Sequence, residues 1–358
     1  MQLTWRRFDL ELTHRWTIAR TRAPGADGAP GAAVETVVLV RLESSDGLVG
    51  RGEAAPCPHY AETPETVERF LRRLDPDRLR FDALPDALAY LAEQGPGDAA
   101  ARGALDVALH DAAARRAGRA THDFLGLPFT EGRHVTSFSI GLDTPEVVRA
   151  KVRAAAAYPV LKIKLGGPDD HAVLRAVRDA APDKPLRVDA NEGWSDPETA
   201  LRRLEWLAEA GGVQFVEQPL PARASAKAHA WLKARSPLPL MADESYRTAD
   251  DLPAAAAGFH AVNVKLVKTG GLAGAKRALE AARKAGLKTM LGCMIESSLL
   301  ITAAAHLADL TDYLDLDGHL LIRNDPFQGV AVTEGVLSLA AAPERLGLQV
   351  AARGPGPV

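Results

Sequence analysis

Apolar and polar positions follow two different periods along this chain, and a change of period predicts a change of architecture. Residues 1–60 alternate, or run apolar in short stretches, as LTWRRFDLEL, ETVVLVRLES and GLVGRGEA, which predicts strands. Between the first two lies APGADGAPGAA (23–33), whose Gly, Ala and Pro content predicts a surface loop. From Thr63 to about Gly118 the period becomes helical, opened by Thr63-Pro64-Glu65 and ending in ALDVALHDAAARRAG, expected to be a long amphipathic helix. Strands followed by helices predict a compact α+β unit over residues 1–125.

From His134 the pattern becomes regular. β-rich runs begin at His134 (HVTSFSI), Val160 (VLKIKL), Leu186 (LRVDAN), Val213 (VQFVEQP), Leu238 (LPLMADE), Ala261 (AVNVKL), Lys288 (KTMLGCM) and Tyr313 (YLDLDG). These eight runs are spaced 23–27 residues apart, with helix-patterned stretches between them, two of which open on Thr-Pro-Glu at 144 and Asp-Pro-Glu at 196. Such alternation predicts right-handed βαβ units and a parallel sheet. Eight units predict an α/β fold of the (β/α)8 type, a modified TIM barrel over 126–324 with the α+β unit as its cap. On spacing alone an open doubly wound sheet stays as the alternative. Nothing after the eighth run has a full helical pattern. The segment from about 325 to 358 is expected to pack back on the cap, and its end, AARGPGPV, to be disordered.

Composition narrows the function. The 358 residues exceed the size at which one core usually stops growing, roughly 250–300 residues, which fits a barrel plus a smaller unit. Forty-three Lys and Arg against 46 Asp and Glu give a net charge of −3, no electrostatic footprint for nucleic acid. Two cysteines, Cys57 and Cys293, make no disulfide framework and suit a reducing compartment. The start, MQLTWRRFDLELTHRW, lacks the apolar core of a signal peptide. No apolar run reaches the roughly 18 residues that suggest a membrane span. A cytoplasmic protein with no membrane partner is expected.

In such barrels chemistry sits at the C-terminal ends of the strands. Asp189 ends the third run, Glu217 the fourth and Asp243 the fifth, each in an otherwise apolar strand where a lone carboxylate is costly to bury. Three carboxylates with no His or Cys among them suit a hard cation, Mg²⁺. Any one of them alone would equally serve as a strand-end acid bonded to a helix N-terminus. Lys162 and Lys164 are two residues apart, so both face the barrel interior if either does. Lys265 lies on the sixth run, diametrically opposite the second. Two ammonium groups facing each other suit removal of a proton from one face of a carbon and its return to the other. A lysine acting as base needs its ordinary pKa, about 10.4, lowered by nearby cations or burial, and Mg²⁺ and Lys162 would supply that lowering for Lys164. Lys268, three residues on, is expected to point the other way and to stay out of the chemistry. Asp315 and Asp317 share a face of the eighth run, opposite the fourth and hence across the mouth from the metal. Away from the metal they call for another cation, most simply a substrate ammonium; solvated acids in a Gly-flanked turn are the bland alternative.

The motifs KIK (162–164), DANEGW (189–194), VEQP (216–219), ADES (242–245) and NVKLVKTGG (263–271) resemble the enolase superfamily, and within it the muconate-lactonizing subgroup. DLDG, with GCMIESS at 292–298, resembles the dipeptide epimerases, including the L-Ala-D/L-Glu epimerases. GRGEAAP (50–56) and ARGALDVALHDAAARRAG (101–118) look like the family's capping domain. The family's use of a Lys or His base with Mg²⁺ beside an ene-diolate is a general precedent, not a reading of these residues. The resemblance implies Asp189, Glu217 and Asp243 as Mg²⁺ ligands, and Lys164 and Lys265 as the acid/base pair. Lys162 would neutralise developing charge, Asp315 and Asp317 would bind a dipeptide's α-ammonium, and Met294 and Ser297 would line the substrate. Its specificity loop falls near 18–34, here IARTRAPGADGAPGAAV, where Arg20 or Arg22 stands as a partner for a substrate carboxylate or as a solvated residue. The implied protein is a Mg²⁺-dependent isomerase, expected to be a homo-oligomer, that inverts the C-terminal residue of a dipeptide by 1,1-proton transfer through an enolate.

Rival readings differ in identifiable residues. N-acylamino acid racemisation, o-succinylbenzoate synthesis and muconate cycloisomerisation use substrates without a free ammonium, against which Asp315 and Asp317 argue. A metal hydrolase on the same barrel would show histidine ligands, and none of the ten histidines forms a metal-spaced cluster. A barrel kept only for binding has no use for two opposed lysines.

Overall fold

The computed structural model describes residues 1–19, 31–95 and 97–354. Most of the Gly/Pro-rich loop, including Arg20 and Arg22, and the last four residues of the tail lie outside the described residues.

Three antiparallel strands, β1 (Gln2–Trp16), β2 (Ala32–Glu43) and β3 (Val49–Ala54), form the cap's sheet in that order. Behind it pack α1 (Pro64–Arg72), α2 (Leu84–Glu93), α3 (Ala99–Arg116) and the short α4 (Thr121–Phe124). Thr63 and Pro64 start α1 as expected, the Thr63 hydroxyl accepting from the Thr66 amide. Gly50 and Gly52 let β3 lie against the backbone of α3. A Cβ on Gly52 would stand 1.8 Å from the Ala104 carbonyl oxygen, which no side chain allows.

The amphipathic pattern expected of α3 is not how the helix is used: it is buried around almost its whole circumference from Ala99 to Ala114. Its polar positions are internal connectors. Asp106 Oδ1 accepts from the Leu272 amide at 2.6 Å, and Asp111 Oδ1 from the Leu348 amide at 2.9 Å and Arg115 Nε at 2.8 Å. A buried carboxylate that caps a neighbouring element reads, in sequence, like a solvated one.

The barrel follows as β4 (Phe138–Ile140), α5 (Pro145–Ala154), β5 (Leu161–Lys164), α6 (Asp170–Ala180), β6 (Leu186–Asp189), α7 (Pro197–Ala210) and β7 (Val213–Glu217). It continues through α8 (Ala226–Lys233), β8 (Leu240–Ala242), α9 (Leu252–Gly258), β9 (Ala261–Val264), α10 (Leu266–Thr269) and α11 (Leu272–Lys284). It ends with β10 (Lys288–Gly292), α12 (Ser298–Ala305) and β11 (Tyr313–Asp315). All eight expected strands form one parallel sheet in sequence order. A parallel bridge between Thr136 and Leu314, with the Ser137 amide donating to the Leu314 carbonyl at 3.1 Å, joins its edges. The result is the (β/α)8 barrel, not the open sheet. Thr144 and Asp196 cap α5 and α7 as their signals predicted.

After the barrel come β12 (Phe327–Gln328), β13 (Ala331–Thr333), β14 (Val336–Ser338) and β15 (Ala351–Ala352), two short antiparallel pairs. This segment touches the cap: the Gly347 amide donates to the Arg119 carbonyl at 2.9 Å, and the Thr121 amide to the Gly347 carbonyl at 2.8 Å. Among the described residues no helix is long and apolar enough to cross a membrane.

Candidate active site

Strand register lines up the charged residues. Lys164 on β5 pairs with Asp189 on β6, and Asp189 pairs with Glu217 on β7, so three charged side chains share one level at the strand ends. Asp243 follows β8, and Lys265 follows β9 as the residue that opens α10. All five are buried. A cavity of about 590 Å³, lined by Lys164, Asp243 and Lys265 of these five, lies between the barrel mouth and a cap wall that includes Trp16, Ile18, Glu35 and Tyr60.

Lys162 is the hub. Its Nζ lies 2.7 Å from Asp315 Oδ2, 2.8 Å from Glu217 Oε2 and 3.1 Å from Asp189 Oδ2. Lys164 Nζ stands 2.7 Å from Asp189 Oδ2, and 6.0 Å from the centroid of the Trp16 ring. On the far side, Lys265 Nζ is 2.8 Å from Asp243 Oδ2. Because β5 and β9 are the second and sixth of eight strands in order, Lys164 and Lys265 face each other across the mouth.

The electrostatics divide the acids into two kinds. Burial pushes Asp189 up, but the Lys164 and Lys162 ammonium groups outweigh it and hold Asp189 below the usual carboxylate range. Lys265 and Lys268 likewise outweigh burial at Asp243 and hold it well below that range. Glu217 goes the other way: burial and then the charge on Asp189 push it up to about 7. Asp317 is pushed up to about 7 by burial and then by Asp315. Two places in the site are therefore short of positive charge, one at Glu217 among the expected metal ligands and one at Asp317. Glu217 Oε2 makes no well-directed hydrogen bond despite the nearby Lys162 ammonium, while Oε1 accepts from Asn263 Nδ2 at 2.7 Å. Among the described residues no three His, Cys, Asp or Glu side chains are already drawn into an ion-clasping group. Three carboxylate side chains at adjacent strand ends, one of them underneutralised, still form a donor set that fits a hard divalent cation.

Several expected roles are corrected. Lys268 does not point away from the chemistry. Its Nζ donates to Asp243 Oδ1 at 2.6 Å, the Asp243 carbonyl at 2.7 Å and the Asn263 carbonyl at 2.8 Å. The reason is a change of period at Lys265: α10 begins there, and a residue three positions on in a helix returns to the same face. At Lys265, Asp243 outweighs burial and holds the ammonium well above the ordinary lysine value. Asp315 is not remote from the expected ligands. The lysine from β5 is long enough to span the interior of an eight-strand barrel and bond both Asp315 and Glu217. Ser137 Oγ donates to Asp315 Oδ1 at 2.7 Å, so both Asp315 oxygens are engaged inside the protein. Asp317 Oδ2 accepts from the Ser139 amide at 2.6 Å, and the residue lines the cavity. Met294 lines the cavity, with Sδ 3.8 Å from Lys265 Nζ. Ser297 does not line it: its amide and hydroxyl both donate to Glu53 of the cap.

Other contributors were not anticipated. Asn263 lies two residues before Lys265 on β9 and so shares its side of the strand, a signal present in NVK. A Cβ at Gly292 would stand 2.6 Å from Asn263 Oδ1, so glycine there leaves room for that amide. Gln218, with φ of 37° in the left-handed region, follows Glu217. Its Oε1 accepts from the amides of Asp243 at 3.0 Å and Ser245 at 3.1 Å, and its Nε2 donates to Ser245 Oγ at 2.8 Å. It fixes the ADES turn that carries Asp243.

Residues 19–126 match the mandelate racemase/muconate lactonizing enzyme N-terminal domain, and residues 146–351 the enolase C-terminal domain-like family. The chain is 53% identical over 354 residues to an L-Ala-D/L-amino acid epimerase of Pedosphaera parvula, covering 99% of this chain and 100% of that one. It is 36% identical over 308 residues to the L-Ala-D/L-Glu epimerase of Escherichia coli, covering 85% and 91% of the two chains. Among solved structures, the substrate-liganded L-Ala-D/L-Glu epimerase of Bacillus subtilis superposes with a TM-score of 0.87 at 26% identity, covering 98% of each chain. A dipeptide epimerase of Enterococcus faecalis, complexed with Mg and L-Leu-L-Tyr, gives 0.84 at 27% identity, again covering 98% of each chain.

Proposed function

The chain belongs to the enolase superfamily, in its mandelate racemase/muconate lactonizing family, and we infer that it is an isomerase, a dipeptide epimerase inverting the α-carbon of the C-terminal residue by 1,1-proton transfer. The observation that carries the mechanism is the opposition of Lys164 and Lys265 across a carboxylate cluster, within one cavity.

We assign the two lysines to the two faces of the α-carbon, Lys164 to the proton of the L-residue and Lys265 to that of the D-residue, as the family resemblance implies. One removes the proton as general base, and the ammonium opposite returns one to the other face. Lys162, bonded to Asp189, Glu217 and Asp315, holds a fixed positive charge beside the substrate carboxylate. Asp189, Glu217 and Asp243 are the residues that would hold Mg²⁺, which when bound would supply positive charge for the negative charge developing on that carboxylate. Lys265, whose Nζ lies 2.8 Å from Asp243 Oδ2, moves the proton on the face opposite Lys164. Asp317, short of positive charge and exposed to the cavity, takes the α-ammonium of the dipeptide and thereby sets its length. Asp315 acts with it through charge, while its own oxygens stay on Lys162 and Ser137. Met294 packs on Lys265 beside the substrate; Arg20 or Arg22 pairs with a substrate carboxylate.

The same reading divides the chain into a cap, 1–125, and a barrel, 126–324, with the remainder returning to the cap. It carries a cytoplasmic, homo-oligomeric enzyme without nucleic-acid partners, which the net charge of −3 supports. The test is a dipeptide library incubated with the protein and Mg²⁺ in D₂O, read by mass spectrometry. Deuterium uptake at one carbon of free dipeptides supports the reading, and uptake confined to N-acylated amino acids contradicts it.

A further inference from the structure

The loop between β10 and α12, residues 293–297, touches both ends of the site. At one end Met294 Sδ lies 3.8 Å from Lys265 Nζ. At the other, Cys293 Sγ lies 4.0 Å from Asp317 Oδ1. The loop is packed flush on the turn after Asp317: a Cβ on Gly318 would stand 2.3 Å from the Met294 carbonyl oxygen and 3.3 Å from Cys293 Sγ. Within the loop, Glu296 Oε1 accepts from the Met294 amide at 2.9 Å. A small movement here shifts the neighbour of the proposed base and the neighbour of the proposed ammonium anchor together.

What holds the loop is not the barrel alone. Glu53, at the end of β3 in the cap, is fully buried, and both its oxygens are spent on one residue. Oε1 accepts from the Ser297 amide at 2.9 Å and Oε2 from the Ser297 hydroxyl. The same hydroxyl accepts from the Leu299 amide at 3.2 Å, capping α12. On the next residue, Asp325 takes the Ser298 amide at 3.0 Å and its hydroxyl at 2.6 Å. The loop's C-terminal end is thus pinned by one carboxylate from the cap and one from the segment after the barrel. A fully buried carboxylate whose two donors both come from a single residue of the other domain is a costly way to join two domains unless the position it fixes matters.

We propose that Glu53 is a positioning residue: through Ser297 it sets the 293–297 loop, and so the placement of Met294 on Lys265 and of Cys293 on Asp317. The cap thereby contributes to proton transfer and not only to side-chain recognition. This rests on the assignment of Lys164 and Lys265 to opposite faces.

A merely structural defect slows every step alike, whereas a displaced loop acts first on the Lys265 side. The readout is a ratio: for an L,L-dipeptide in D₂O, α-proton exchange with retention, served by Lys164, against inversion, which needs Lys265. In Glu53→Ala the ratio of exchange to inversion is expected to rise about tenfold. Glu53→Gln, which can accept from the Ser297 amide and donate to its hydroxyl, should return the ratio to within about threefold of wild type. Ser297→Ala, which keeps the amide contact, should fall between, and it decides the matter if Glu53→Ala does not fold. A folded Glu53→Ala or Ser297→Ala protein with the wild-type ratio overturns the proposal. Failure of the wild type to exchange any dipeptide α-proton would instead overturn the functional reading on which it stands.

Discussion

The ammonium nitrogen of Lys162 lies 2.7 Å from Asp315 Oδ2 and 2.8 Å from Glu217 Oε2, tying the eighth strand of the barrel to the fourth through a residue of the second. The two aspartates of DLDG are therefore not equivalent. One is consumed in holding the site together, and the other faces the cavity without a counter-charge of its own.

Replacing the two separately should show this. Asp317→Asn is expected to raise KM for free dipeptides at least about tenfold with a smaller change for N-acetylated amino acids, the loss of one charge-assisted contact. Asp315→Asn should act mainly on kcat and stability, because it removes a counter-charge from buried Lys162. Steady-state kinetics on both substrate types with both variants check the split; equal KM effects would contradict it.

Lys268 gives a stability prediction. Its ammonium is buried on Asp243 Oδ1 and two carbonyl oxygens. Lys268→Met keeps the length of the side chain but leaves those acceptors without their donor. The expected cost is about 3–5 kcal/mol, the range for breaking a buried pair on one side. Urea unfolding measures it, and a loss below about 1 kcal/mol would show that Lys268 does not hold Asp243.

Metal binding should be visible without turnover. Mg²⁺ at about 100 times its Kd is expected to stabilise the folded protein by about 2.7 kcal/mol. Glu217→Gln, which removes the underneutralised acid, should largely abolish that shift, and EDTA should abolish wild-type epimerisation. Thermal unfolding with and without Mg²⁺ gives the answer; full activity after exhaustive chelation would remove metal from the mechanism.

The pH dependence of stability follows from the acids behind the site. Burial pushes Glu53 up to about 7 and Glu296 up to about 8, against an ordinary value of 4.5. Both therefore keep protons in the folded state at pH values where the unfolded chain has released them. Stability from these groups is fully present below about pH 4.5 and is lost as pH rises through 7 to 8. For Glu53 the loss is on the order of 3 kcal/mol. Glu296→Gln should flatten the decline of the urea midpoint between pH 5.5 and 8.5. An unchanged slope would mean that Glu296 is ionised throughout.

What could be read in the sequence was what local periodicity carries. Each barrel strand announces itself as a short β-rich run, and Asp189, Glu217 and Asp243 stand out because they interrupt apolar stretches at strand ends. Lys162 and Lys164 were legible as an inward pair because the strand period is two. Lys268 was misplaced for the complementary reason: a strand period was carried across Lys265 into a helix. The pairing of Asp315 with Lys162, and of Ser297 with Glu53, joins residues 153 and 244 positions apart, and nothing local encodes it. The buried circumference of α3 was hidden because Asp106 and Asp111 look solvent-facing until Leu272 and Leu348 are seen to donate to them.

The division of the two faces between Lys164 and Lys265 is the centre of the account, and α-proton NMR in D₂O tests it directly. Lys164→Ala and Lys265→Ala are each incubated with each epimer of a turned-over dipeptide. Neither variant should epimerise, since inversion needs a donor on the far face. Lys265→Ala, which retains Lys164, should exchange the α-proton of the L-residue alone, and Lys164→Ala that of the D-residue alone, both with retention. Inversion surviving in either variant, or exchange of both epimers by one of them, would contradict the account.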